Sequence, residues 1–334
     1  MNVQSAQAAS VTVTVPARLH FGFLDLHGGL GRRFGSMGLA IGGPRTRLTI
    51  APAAGAEVSG PEHERVGRYL AAMHDLLDID TAHRVTVDET IPAHAGLGSG
   101  TQLALAVAAG VRRLHGVPLD MAGDAVRLGR GARSGVGIGL FERGGVVVDG
   151  GHGAATRAAP IVSRLAFPEN WRVLIVLDPA RQGAHGPDER AAFARLPVFS
   201  DQAAAHLCRL VLMQALPALA EHDVVMFGAA IREMQQVLGA YFAPVQGGSR
   251  FTSPDVMTCL DALEAAGAHG VGQSSWGPTG FAFAPSPEEA DRLARAARRH
   301  PSAKGLDIRV CTGLNRGAEM TARAAAEQEQ PAGR

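Results

Sequence analysis

The stretch IPAHAGLGSGTQLALAVAAGVRRLHG, from Ile91 to Gly116, sets three glycines within five residues, Gly96, Gly98 and Gly100, at the mouth of an alanine-rich run. Glycines let backbone N–H groups turn into a concave nest, and the helix that follows adds its unpaired N-terminal donors and the positive end of its dipole. The segment Gly96, Leu97, Gly98, Ser99, Gly100 and Thr101 is therefore predicted to bind an anion; the competing reading is a turn that serves only the packing of an alanine helix. A Walker A loop would put lysine after the last glycine, but Thr101 and Gln102 follow Gly100. A Rossmann turn would place its first glycine directly after a strand, but IPAHA separates RVTVDE from Gly96.

Three further groups of residues could act with that loop. In PARLHFGFLD, period-two alternation with Leu19 and Phe21 inward puts Arg18 and His20 together on the other face. Arg18 is suited to clamp a phosphate or carboxylate, and Asp25 to hold magnesium or orient the arginine; a plain surface pair is the alternative. GRGARSGVGIGLFERGGVVVDGG offers Arg130, Arg133, Ser134, Glu142 and Asp149 among many glycines. GQSSWGPTG places Gln273, Ser274, Ser275 and Trp276 in one tight loop, where the indole either stacks on a ring or lids the core.

The elements that must position these groups follow from hydrophobic periodicity. VTVTVPARLHFGFLDL alternates as a strand that pauses at Pro16, and TRLTIAP and RVTVDE read as two more. Glu62 to Leu77 has helical spacing of Val66, Leu70, Met73 and Leu77; Thr101 to His115 is apolar almost all round and should be a buried helix. Asp120 to Arg130 reads as a helix, and the glycine-interrupted apolar runs after it as strands. A composition change near 160–170 marks a domain boundary, giving units over 11–165 and 170–318. Beyond it come the strand WRVLIVLD, a polar segment from Pro179 to Ser200 with the length of a lid, and two helices over 202–219 and 223–241, the first bent or ended by Pro217. A helix capped by Ser253 with Pro254 at its first position follows, then strand, loop, strand, helix and strand. Residues 1–10 and 322–334, small and polar, are expected to be disordered tails.

Composition narrows the function. The 334 residues are 46% hydrophobic and 19% charged with a net charge of +1, so no global field would gather nucleic acid or an anionic membrane. Lys304 is the only lysine, so anions must be met by arginine, backbone N–H or a metal ion. Cys208, Cys259 and Cys311 form no CxxC pair, which argues against zinc or disulfides and for a reducing cytoplasm. No leader pattern is visible, and no apolar stretch reads as long enough to span a membrane.

As a set, PARLHFGFLD, IPAHAGLGSGTQLALA, GRGARSGVGIGLFERGGVVVDGG and GQSSWGPTG resemble the GHMP kinase superfamily, and within it the family of β-ribofuranosylaminobenzene 5'-phosphate synthases. The resemblance runs from about Val11 to Gly317. It implies an α+β, two-domain GHMP-kinase-like fold: an N-terminal α/β domain with a left-handed crossover and a C-terminal ferredoxin-like α+β domain. It also implies condensation of phosphoribosyl diphosphate with 4-aminobenzoate or 4-hydroxybenzoate, releasing pyrophosphate and CO2, on the way to tetrahydromethanopterin. Mg2+ without an organic cofactor, and a cytoplasmic homodimer, come with the same resemblance. On it, Arg18, His20, Asp25, Arg133 and Glu142 are the expected catalytic group. Arg130 and Ser134 join the glycine loop on phosphate, Asp25 and Asp149 are metal ligands, and Gln273, Ser274, Ser275 and Trp276 shape the aromatic pocket. Gly186 and Glu189 in the lid segment match the family pattern as well. Kinases of the superfamily that use a catalytic aspartate place it shortly after a Ser-Gly step. Here Val136 and Gly137 follow Ser134-Gly135, which disfavours the alternative of an ATP-dependent small-molecule kinase.

Overall fold

The computed structural model describes residues 8–184 and 186–324. The chain opens with two long antiparallel strands, β1 (Ala8–Asp25) and β2 (Arg32–Pro52), then β3 (Glu57–Ser59), helix α1 (His63–Leu77) and β4 (His83–Glu89). Helices α2 (Ser99–Leu114), α3 (Met121–Arg127) and α4 (Val136–Arg143) follow, then β5 (Val146–Asp149), β6 (His152–Gly153) and β7 (Ile161–Leu165). The second half holds β8 (Arg172–Leu177), α5 (Gly186–Arg195), α6 (Asp201–Leu210), a π turn at Val211–Ala215, α7 (Leu216–Ala220) and α8 (Val224–Phe242). It ends with α9 (Pro254–Ala265), β9 (His269–Gln273), β10 (Thr279–Ala284), α10 (Pro287–Arg299), β11 (Asp307–Thr312) and β12 (Glu319–Ala324).

Two sheets result. The larger runs β12-β1-β2-β4-β3, with β5 and β6 paired to the other half of β2 and β7 paired to β5; the smaller is antiparallel in the order β11-β8-β10-β9. That smaller order, with helices between β8 and β9 and between β10 and β11, is the ferredoxin-like arrangement. Val11, Val13 and Val15 of β1 pack against the alanines of α2, where Gly110 admits Ile50 closely. Further along β1, Leu19 and Phe21 enter a second cluster with Phe227, Phe281 and Phe283. One strand thus joins both cores, which fixes the two halves around the residues between Ala17 and Phe23.

Several local expectations are corrected. The first strand does not pause at Pro16 but absorbs it in a bulge between Pro16 and Ala17, the means by which a sheet tolerates a residue without an N–H. Of the expected tails, residues 8–10 and 322–324 are strand: Ala8 pairs with Ala324 and Val11 with Ala322. Residues 1–7 and 325–334 lie outside the described residues. The first glycine-rich run after Ser134 is not a strand but α4: Gly137 sits against the Thr101 methyl and Gly139 against Ile161, so the glycines serve close packing of a helix. Pro217 is the second residue of α7, preceded by the π turn that accommodates its missing N–H. By length and composition the helix Asp201–Ala220 is apolar enough to cross a membrane, contrary to the sequence reading, and 39% of that window is buried here.

Candidate functional site

The glycine loop forms the floor of a cleft of about 440 Å³. Gly96 and Gly98 hold φ of +82° and +81°, a left-handed backbone that only glycine adopts at little cost. Ser99 and Gly100 open α2 and line the cleft; their N–H groups, at the start of the helix, have no intrahelical acceptor. Arg18 reaches the loop from β1: its backbone N–H donates to Leu97 O at 3.1 Å and its guanidinium to Gly96 O at 3.0 Å. Any side chain at Gly98 would meet Arg18 Cγ at 2.7 Å. Burial lowers the Arg18 pKa to about 10, with Glu189 opposing, so the guanidinium stays charged at neutral pH. Arg130 approaches the other end of the loop, within 3.1 Å of where a Gly100 Cβ would stand. It is held by Tyr69, whose hydroxyl accepts from it and whose ring lies 5.6 Å from the guanidinium carbon.

The loop after β9 closes the cleft. Ser274 is fully buried; its hydroxyl accepts from His20 N at 3.0 Å and donates to Gly96 O at 2.8 Å. Ser275, at φ +56°, donates its backbone N–H to His20 O at 3.1 Å and lines the cleft beside Trp276. The indole is stacked on Phe193 of α5 at 4.9 Å and 6° and meets Phe242 edge-on, so one of its faces is already covered. α5 is held in turn by Arg133, which binds Glu189 at 2.5 Å and lies 4.2 Å from the Phe193 ring.

Behind Trp276 a second, narrow pocket of about 30 Å³ is lined by His20, Phe23, Leu238, Phe242, Gln246 and Arg250 among others. Ser275 and Trp276 belong to both spaces. His20 Nδ1 and Trp276 Nε1 are buried with no partner among the described residues. Burial, reinforced by the charge of Arg18, lowers the His20 pKa to about 3, so the ring is neutral.

The structure therefore brings together Arg18, Gly96, Gly98, Ser99, Gly100, Thr101, Arg130, Ser275 and Trp276, with Gly186 and Glu189 from the lid segment. It separates others from the roles expected of them. Leu97 belongs to the loop by its backbone alone, since its side chain is in the core. Asp25 does not line the cleft; it caps its own turn, accepting from His27 N at 2.8 Å and Gly28 N at 2.7 Å. Asp149 is fully buried and accepts from Ser36 Oγ, Gly135 N, Gly151 N and Ser134 Oγ, so its lone pairs are spent on the fold. Ser134 is committed to that network and to Val136 N. Glu142 is on the exposed side of α4, and Arg133 positions α5 without lining the cleft. Gln273 and Ser274 are tied into neighbouring backbone, and Ser274 supports the anion loop more than it shapes an aromatic pocket. Sequence reasoning missed Arg65, Arg68 and His94 in the cleft wall. The arginines stood three residues apart on a helix already recognised, a spacing that puts them on one face.

Comparison with known proteins decides the family. The sequence profile of the GHMP kinases N-terminal domain matches residues 64–141, and that of the GHMP kinases C-terminal domain matches residues 215–303. A β-ribofuranosylphenol 5'-phosphate synthase of Archaeoglobus fulgidus is 32% identical over 91% of this chain and 97% of its own length. Another of Methanothermobacter thermautotrophicus is 31% identical over 92% and 98%. The chain belongs to the β-ribofuranosylphenol 5'-phosphate synthase family. As a member it is an enzyme, a pentosyltransferase built on the GHMP frame. The fold of this synthase is shared with kinases: homoserine kinase of Cytophaga hutchinsonii superposes over 96% of this chain and all of its own with a TM-score of 0.67 at 17% identity. Mevalonate diphosphate decarboxylase of Staphylococcus aureus does so over 94% and 98% with a TM-score of 0.62.

Proposed function

We propose that the enzyme condenses phosphoribosyl diphosphate with a para-substituted benzoate, releasing pyrophosphate and CO2 to give a C-riboside 5'-phosphate of the tetrahydromethanopterin pathway. The observation that carries this is the make-up of the cleft: a glycine nest with Arg18 and Arg130 built against it, in which the one carboxylate among the described residues, Glu189, is already bound to Arg133. A phosphoryl-transferring kinase needs a group to orient or deprotonate an acceptor hydroxyl; a leaving diphosphate needs positive charge and donors, which this cleft supplies.

In this reading the diphosphate lies in the nest and its bond to the anomeric carbon breaks as negative charge builds on the departing oxygen. The ring carbon that bears the carboxylate attacks the opposite face of the sugar, forming the carbon–carbon bond. The electron pair of the carbon–carboxylate bond then restores aromaticity as CO2 leaves, so no base is required. Among the described residues no three His, Cys, Asp or Glu side chains are grouped to hold a metal ion. Magnesium enters, in this reading, as part of the diphosphate substrate, which suits an ion that keeps most of its waters. The arene is assigned to the aromatic pocket behind Trp276, next to the nest. Its 30 Å³ is less than a benzoate ring occupies, so entry requires Phe242 or Trp276 to swing. The homodimer and cytoplasmic location implied by the resemblance belong to the same proposal.

The test is to supply the purified protein with magnesium, phosphoribosyl diphosphate and 4-hydroxybenzoate or 4-aminobenzoate. Pyrophosphate and CO2 are expected to appear in equal amounts. Phosphorylation of a small alcohol at the expense of ATP, with neither product released, would overturn the reading.

A further inference from the structure

The cleft carries more positive charge than a diphosphate in the nest would use. Four arginines line it, and they fall into two pairs. Arg18 and Arg130 are packed against Gly98 and Gly100. Arg65 and Arg68 project from α1 three residues apart, and among the described residues Arg65 is engaged by Glu62, the N-cap of that helix, at 3.3 Å.

Contacts place the parts of the cleft in order. Gly96 abuts Ser274 and Gly277, next to Trp276 and the aromatic pocket; Gly98 abuts Arg18; Gly100 abuts Arg130. Arg130 rests on Tyr69 of α1, and Arg68 and Arg65 lie beside and one turn before Tyr69. The aromatic pocket and the α1 arginines are thus at opposite ends of one floor.

We propose that Arg65 and Arg68 form a second anion subsite that takes the sugar's 5'-phosphate, while the nest with Arg18 and Arg130 takes the diphosphate. This rests on the proposed reading of the cleft. The anomeric carbon must face the arene, so the diphosphate attached to it occupies the nest beside Trp276. The 5'-phosphate hangs from the far side of the ribose and reaches toward α1. A partly covered guanidinium, Arg65, beside an exposed one, Arg68, suits a terminal phosphate monoester, whose three oxygens accept bidentate bonds. Arg65 exchanges Glu62 for the phosphate.

Binding of two separate probes to the wild type and to an Arg65→Gln/Arg68→Gln variant tests this, with thermal unfolding as a check on the fold. Ribose 5-phosphate is expected to bind the variant at least about tenfold more weakly, while inorganic pyrophosphate binds within about twofold of wild type. The KM for phosphoribosyl diphosphate rises, kcat stays within a few-fold, and Arg65→Lys/Arg68→Lys recovers part of the ribose 5-phosphate affinity. Equal weakening of both probes, or unchanged ribose 5-phosphate binding in a variant of an otherwise active enzyme, overturns the subsite and leaves the proposed function standing. A wild type that binds neither probe and releases no pyrophosphate overturns both.

Discussion

Replacement of Ser274 by alanine separates a residue that holds the anion loop from one that shapes an aromatic pocket. The hydroxyl is the acceptor for His20 N at 3.0 Å and a donor to Gly96 O at 2.8 Å, and it is fully buried. Without it the buried His20 N–H has no acceptor, which costs about 1–3 kcal/mol, whereas Gly96 O keeps its bond from Arg18 and loses about 1 kcal/mol. The sum is about 2–4 kcal/mol, to be read as a lower urea midpoint at unchanged slope. Because Gly96 is also where Arg18 is anchored, KM for phosphoribosyl diphosphate should rise several-fold while KM for the benzoate stays near wild type. A Ser274→Ala enzyme with an unchanged midpoint, or one whose benzoate KM alone rises, would refute the assignment of this hydroxyl to the loop.

Two other outcomes follow from the geometry. Gly98→Ala adds a Cβ at 2.7 Å from Arg18 Cγ and asks alanine to hold φ of +81°; turnover should fall by at least about tenfold with a stability loss of about 1–2 kcal/mol, and wild-type kinetics would show that Arg18 is not needed where it stands. The imidazoles of His74, His83 and His115 form a chain, 2.7 Å and 2.8 Å between successive nitrogens, in which burial lowers all three pKa values, that of His83 from 6.5 to about 4. A lowered histidine pKa means that the neutral ring is the one the fold stabilises. That contribution is complete above pH 6.5 and is lost as pH falls toward 4. Urea unfolding between pH 7.5 and 4.5 should show the loss, His83→Gln should make it less steep while the buried His20 keeps its share, and parallel pH curves would rule the chain out as a source.

The loop, its anion chemistry and the helices on either side were legible because periodicity and glycine spacing are local signals. Arg18 was legible for the same reason: alternation alone put it opposite Leu19. What was not legible depended on long-range packing. The glycines of α4 read as turns because the neighbours that require them, Thr101 and Ile161, are remote in sequence. Asp149 looked free to hold a metal because its donors, Ser36 and Gly135, meet it only through the pairing of β5 with β2. The closing strand β12 was hidden by its small, polar residues, of which five of six positions are exposed.

That strand has a consequence for how the protein is made. β1 leaves the ribosome before every other described strand of its sheet and β12 after every other, yet the two lie side by side from Ala8–Ala324 to Thr14–Glu319. Until residues 319–324 emerge, the outer rim of β1 stays an open row of backbone donors and acceptors, the kind of edge on which nascent chains join one another. Completion of the first sheet therefore waits on every element between the two strands, and a chain cut before Glu319 would leave β1 with one unprotected border.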